Sequence, residues 1–186
     1  MISSVLPSLR ITGFWIGVAA MTFLVTVSNV LVQYAINDWL TWAAFTYPVC
    51  FLVTDLTNRA LGPKVARAVI YVGFAVGVAL SVYFATWRIG LASGTAFLVA
   101  QLLDVYIFDR LRRTAWWQAP LASSSIASAV DTALFFGLAF AGTAVPWVTL
   151  ALGDYAVKLA MALAMLLPFR ALMAYTLPRA TPESPA

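Results

Sequence analysis

The sequence predicts an all-α, polytopic membrane protein with six transmembrane helices and both termini in the cytoplasm. Three observations carry that prediction. First, the 186 residues are 63% apolar and only 10% charged, with a mean hydropathy of +0.92. A soluble domain runs at roughly 45–50% apolar and about 25% charged. A chain this poor in polar groups cannot cover its surface in water, so a bilayer is its main solvent. Second, the apolar residues fall into six runs near the ~20-residue length of a spanning helix. Third, the basic residues collect in alternate connections. Nothing in this composition leaves room for a soluble receptor, nucleotide-binding or DNA-binding domain.

The six runs are Phe14–Tyr34, Trp42–Leu61, Val69–Trp87, Leu91–Phe108, Ala119–Ala141 and Trp147–Met173. Turn residues separate them: Asn37-Asp38, Gly62-Pro63, Gly90 and the link from Gly142 to Pro146. The first run has Arg10 ahead of it and no small-x-small cleavage site, so it reads as a retained helix rather than a signal peptide. Pro168 is expected to end or kink the sixth run, because proline removes a helical donor. Residues 1–177 form a single six-helix domain on this reading. Residues 178–186, with Pro178, Pro182 and Pro185, form a short disordered tail.

Orientation follows from the eleven Lys and Arg residues. Arg10, Arg59, Lys64, Arg67, Arg110, Arg112, Arg113, Arg170 and Arg179 fall on one side, Arg88 on the other, and Lys158 within a run. The positive-inside rule puts the basic side in the cytoplasm, as expected of a bacterial inner-membrane protein. The net charge of +4 is explained by those loops, and no nucleic-acid partner is implied. Trp39, Trp42, Trp87, Trp116, Trp117 and Trp147 stand at run ends, where an amphipathic ring is favoured.

The remaining charge is the informative part. Asp55, Asp104, Asp131 and Asp154 lie inside runs two, four, five and six, and Lys158 follows Asp154 by one turn. Each central charge costs about 2.5–3.5 kcal/mol on insertion scales, and such groups by default face the bundle interior and mark a site. Steps of four, three and four residues hold side chains on one helical face. Thr22, Thr26, Asn29 and Gln33 fit that template, as do Phe51, Asp55, Asn58 and Gly62. So do Phe97, Gln101, Asp104 and Phe108; Ser124, Ser128, Asp131 and Phe135; and Asp154, Lys158, Met161 and Met165.

Five runs thus contribute a polar or aromatic stripe, the lining of one shared cavity. The competing explanation is helix-to-helix hydrogen bonding for the Ser and Thr positions, and mutual neutralisation for Asp154 and Lys158. Arg59, four residues after Asp55, would shield that acid. Asp131 and Asp104 have no obvious cation at their depth. The third run lacks a stripe and carries Gly73, Gly77 and Ser81 instead, a close-packing pattern that also offers a homodimer contact. Aromatic rings with carboxylates and amides suit a flat heteroaromatic ligand: rings stack, and a carboxylate accepts two parallel N–H bonds.

Enzyme chemistry is not expected. Histidine is absent and Cys50 is the lone cysteine, which removes imidazole relays, disulfides within the chain and thiolate metal sites. No phosphate loop occurs, and no cofactor is implied. Ala151-Leu152-Gly153-Asp154 lacks the first glycine of an intramembrane aspartic protease motif. Ser123, Ser124 and Ser125 are not positioned by the sequence against Lys158.

Tyr47-Pro48-Val49-Cys50-Phe51-Leu52-Val53-Thr54-Asp55-Leu56-Thr57-Asn58-Arg59, followed by Gly62-Pro63, resembles the second-helix signature of the queuosine-precursor transporters, also called the vitamin-uptake-transporter-like family. Two more blocks resemble it, Ser93-Gly94-Thr95-Ala96 leading to Gln101-Leu102-Leu103-Asp104, and Ser123-Ser124-Ser125 leading to Asp131-Thr132. The resemblance runs in order over about residues 14–175. It implies import of a 7-deazaguanine base, 7-cyano-7-deazaguanine or its aminomethyl relative, for making queuosine in tRNA. The residues expected to line the substrate site are Asn29, Phe51, Asp55, Asn58, Phe97, Gln101, Asp104, Ser128, Asp131 and Lys158. Two other readings stay open: a binding component of an energy-coupling-factor importer that needs a separate ATPase, and a membrane assembly or scaffold protein.

Overall fold

Residues 2–84 and 86–176 are described by the computed structural model. In chain order the elements are α1 (Ile2–Leu31), the strands β1 (Ala35–Asn37) and β2 (Leu40–Thr41), α2 (Ala43–Thr46), α3 (Val49–Leu61), α4 (Pro63–Phe84), α5 (Trp87–Leu111), α6 (Gln118–Phe140) and α7 (Trp147–Thr176). Among the described residues, five helices are long and apolar enough to cross a membrane: Ile11–Leu31 of α1, then α4, α5, α6 and Trp147–Met173 of α7.

The second apolar run departs from the expected continuous span. It is broken at Tyr47-Pro48 into the four-residue α2 and the 13-residue α3. At 1.5 Å per residue α3 is about 20 Å long, short of the hydrocarbon core. The cause is local: Pro48 has no N–H to give, and the next donors, Cys50 and Phe51, bond three residues back, although Tyr47 and Pro48 keep helical dihedrals.

Packing fixes the direction of each helix. Ser28 shares a 2.8 Å hydrogen bond with Thr46, while a side chain grown at Gly17 would meet Thr57 and one at Gly13 would meet Leu61. The α2–α3 segment therefore runs back alongside α1. In contrast α4 is parallel to α1: Gly73 abuts Met21 and Gly77 abuts Val25, where an added Cβ would come within 2.8 and 3.1 Å. The small-residue stripe of the third run is thus used by α1 of the same chain.

Two other boundaries shift from expectation. Gly90 is not a break: it lies inside α5, pressed against Val82 of α4. The turn is instead capped by Thr86, whose hydroxyl accepts from the Ile89 N–H. Pro168 does not end the last helix, which continues to Thr176. Gly62-Pro63 behaves as its chemistry requires, with Gly62 at φ 90° closing α3 and Pro63 opening α4. The expected tail, residues 178–186, and Arg179 lie outside the described residues.

Arg59, Arg110, Arg112 and Arg170 cluster at one end of the bundle. Arg59 donates to the Arg112 carbonyl at 3.0 Å, and the Arg170 guanidinium stacks 5.0 Å from the Trp116 ring centre. Arg88 stands at the opposite end and donates to the carbonyls of Leu138 and Ala141 at 3.1 and 2.7 Å. Those are orphan acceptors of the α6 C-terminus, where a cation is favoured.

At that opposite end the β1–β2 hairpin lies on the start of α7. Thr149 donates to the Asp38 carbonyl at 2.8 Å. The Trp39 backbone approaches Gly153 so closely that a Cβ would sit 1.9 Å from its carbonyl oxygen. Gly153 is therefore a packing requirement.

Candidate functional site

The buried charges of the described residues are Asp55, Asp104, Asp131, Asp154 and Lys158, none more than 5% exposed. Helix periodicity turned these side chains inward, and the antiparallel pairing of α6 with α7 set their register. Lys158 donates to Asp131 at 2.8 Å and contacts Asp154 at 2.6 Å. Its ammonium also donates to the Thr132 hydroxyl at 3.0 Å, and that hydroxyl donates to Asp154 at 2.8 Å. The expected self-neutralising Asp154–Lys158 pair is thus a three-charge network. The expectation that Asp131 has no cation at its depth is corrected: its Oδ2 lies against Lys158, while Oδ1 has no hydrogen bond.

Asp55 and Asp104 form a second acidic group. Asp55 accepts from Ser123 and Ser124 of α6 at 3.4 and 3.2 Å. Arg59 does not shield it, since that side chain turns towards the loop after α5. Asp104 interacts with Asp55, yet neither of its oxygens makes a hydrogen bond and it is wholly buried. The serines invoked for a Ser–Lys arrangement are committed to Asp55 instead.

Two cavities meet at Lys158. One runs towards the arginine-rich end and is lined by Phe51, Asp55, Ser124, Ser128 and Phe169. The other runs towards the hairpin end and is lined by Asn29, Tyr47, Ser93, Asp131, Phe135 and Phe136. Both include Lys158 in their walls, so the ion-pair network separates them. The free space in the second is about 20 Å³, the room of one water molecule. This is a closed arrangement, and a heteroaromatic base enters only if helices part.

Of the residues expected to line the site, Asn29, Phe51, Asp55, Ser128, Asp131 and Lys158 border these cavities. Four do not. Phe97 is buried edge-on against Tyr47 at 6.5 Å. The Gln101 carbonyl oxygen is held by the Thr54 hydroxyl, although its amide nitrogen is unpaired. Asn58 is spent on structure, donating to the Val105 carbonyl and accepting from Arg112. Asp104 sits behind Asp55 rather than on a cavity wall.

Tyr47 and Ser93 also border the second cavity and were not among the residues expected to line the site. Tyr47 keeps helical dihedrals one turn before Phe51, and Ser93 lies one turn before Phe97, so each extends a stripe by one four-residue step. That spacing was the available signal.

Comparison with known proteins bears on this arrangement. The sequence pattern of the family described as "Putative vitamin uptake transporter" matches residues 41–87 and 80–173. The "Queuosine precursor transporter" of Escherichia coli (strain K12) is 34% identical over 184 residues, covering 83% of each chain. The "Probable queuosine precursor transporter" of Haemophilus influenzae is 34% identical over 187 residues, covering 78% of this chain and 80% of its own. A Bacillus subtilis (strain 168) protein of the same description is 26% identical over 179 residues. No solved structure matches. With several apolar helices, these relatives make the protein a multi-pass component of the bacterial inner membrane. By sequence and by extent of coverage, the chain belongs to the queuosine-precursor, or vitamin-uptake, transporter family.

Proposed function

We propose that this protein imports a 7-deazaguanine base, 7-cyano-7-deazaguanine or its aminomethyl relative, and that it does so as a six-crossing carrier with both termini cytoplasmic. The broken α2–α3 segment is the sixth crossing. Parallel packing of α1 and α4 supports this, because the chain between them has to return to the level from which α1 sets out. Discontinuous helices at the bilayer midplane are a recurring way of building a transporter's substrate site.

The observation that carries the transport reading is the pair of cavities meeting at the Lys158–Asp131 ion pair. A solute path needs a recess towards each side and a closure between; the two small cavities mark where those recesses would widen, and the ion pair is the closure between them. The free oxygen of Asp131 accepts an N–H of the base, while Phe135 and Phe136 offer ring faces.

Import is driven by protons on this reading. Asp104 and Asp55 are buried without a cation between them, so holding a proton there relieves the repulsion of two carboxylates. That couples the charge of the core to its solvent access.

Complementation tests the assignment. Cells unable to make the deazapurine are supplied with limiting external base, and queuosine in tRNA is scored. Rescue over an empty vector is expected; none from well-expressed protein would remove the assignment. Purified protein in liposomes is expected to move labelled base without ATP. A requirement for an added ATPase module would instead make it a binding component.

A further inference from the structure

Three polar atoms on the wall of the second cavity lack hydrogen bonds: the Tyr47 hydroxyl, the Ser93 hydroxyl and Oδ1 of Asp131. Their residues are 9%, 1% and 2% exposed. They come from three different elements: the break between α2 and α3, the start of α5 and the middle of α6. The Tyr47 hydroxyl stands close enough to interact with Asp131 and with Ser93, yet none of the three meets hydrogen-bond geometry. An unsatisfied buried polar group costs about 1–3 kcal/mol, and three facing one recess are rare in a packed interior.

The rest of the recess is held firmly. Lys158 fixes the other oxygen of Asp131 and lies 5.2 Å from the centre of the Tyr47 ring. Phe97 packs edge-on against the same ring. Phe135 and Phe136 form a further wall. The Tyr47 and Asp131 atoms are thus aimed by neighbours that are themselves committed, as a preorganised site requires.

Their chemistry defines a partner. A carboxylate oxygen only accepts, whereas hydroxyls both donate and accept. The complementary edge carries two adjacent N–H donors next to a carbonyl, the 2-amino-6-oxo edge of a guanine-like ring. A 6-amino ring has an unprotonated ring nitrogen in place of the ring N–H, and Asp131, which only accepts, cannot pair with it.

We propose that Tyr47 and Ser93 are specificity-determining residues, which with Asp131 select a base by its 2-amino-6-oxo edge. Asp131 and Ser93 accept from the ring N–H and the amino group, and the Tyr47 hydroxyl donates to the carbonyl. A site built to hydrogen-bond a substrate group rejects analogues lacking it, because its own buried groups are then left unpaired. The inference rests on the transport reading above and adds two residues and a selection rule.

The test uses the full-length protein in liposomes with labelled 7-cyano-7-deazaguanine, and unlabelled guanine, hypoxanthine and adenine as competitors. Wild-type protein is expected to be inhibited by guanine, less by hypoxanthine and least by adenine. Tyr47→Phe, which keeps the ring and its contacts, is expected to raise KM roughly tenfold and to narrow the guanine-to-adenine ratio. Ser93→Ala is expected to raise KM and to narrow the guanine-to-hypoxanthine ratio. Unchanged KM and unchanged competitor ranking in both variants, at normal abundance, would overturn the proposal and leave the recess as a pocket for one buried water. Failure of the wild-type protein to move the deazapurine would overturn the transport reading and this proposal together.

Discussion

Lys158 of α7 lies 2.8 Å from Asp131 of α6, with both side chains almost wholly buried. The same ammonium contacts Asp154 one turn earlier on its own helix. One cation thus stabilises two carboxylates between the two cavities.

Removing the cation exposes the strength of that network. Lys158→Met leaves Asp131 and Asp154 as neighbouring buried carboxylates, and a broken buried pair costs about 3–5 kcal/mol. The melting temperature of detergent-purified protein is expected to fall sharply. Asp154→Asn, which leaves the Lys158–Asp131 contact in place, is expected to lower it much less. Equal effects would mean that Asp131 and Asp154 share the ammonium evenly.

The hairpin contact makes a sterically defined prediction. Gly153→Ala drives a methyl into the Trp39 carbonyl, and overpacking of this kind costs about 1–3 kcal/mol. Gly137→Ala in α6 is the control, because nothing lies within 4 Å of its added Cβ. It is expected to be neutral or stabilising by roughly 0.5–1 kcal/mol, since alanine is the better helix former. Thermal melts of the two variants check both signs.

Topology is readable with single cysteines, because Cys50 is fully buried and gives little background. With six crossings, Thr143→Cys beside the hairpin end is expected to react with an impermeant maleimide in intact cells. Thr114→Cys, among the arginines, is expected to react only after lysis. Labelling of both in intact cells, or of neither, would mean that α6 does not cross, and the reverse pattern would invert the orientation.

The two acidic groups should separate by function. Asp104→Asn is expected to retain exchange of labelled base across liposomes while losing accumulation driven by an imposed proton gradient. Asp131→Asn is expected to lose substrate binding itself, raising KM by at least about tenfold. Accumulation by Asp104→Asn at the wild-type level would remove it from coupling.

Much of this was legible in the sequence, for identifiable reasons. The lipid solvent forces long apolar runs, so α1, α4, α5, α6 and α7 were visible from length alone. The cost of charge in lipid forces Asp55, Asp104, Asp131, Asp154 and Lys158 inward, so the polar core was visible as well. The break at Tyr47-Pro48 was not, because the apolar run reads continuously through it. Gly90 misled for the opposite reason: it resembles a turn residue but serves a close approach of α5 to α4. The pairing of Asp131 with Lys158 lay out of reach, since it depends on the register of two helices that are 27 positions apart at this contact.

The sequence by itself determined the solvent, the helices and which side chains cannot face lipid, because each follows from transfer free energies that act residue by residue. Tertiary structure alone decided which carboxylates receive Lys158, which serines answer Asp55, and that Tyr47, Ser93 and Asp131 line one cavity. Those outcomes depend on distances of about 3 Å between helices, and only the packed bundle sets them.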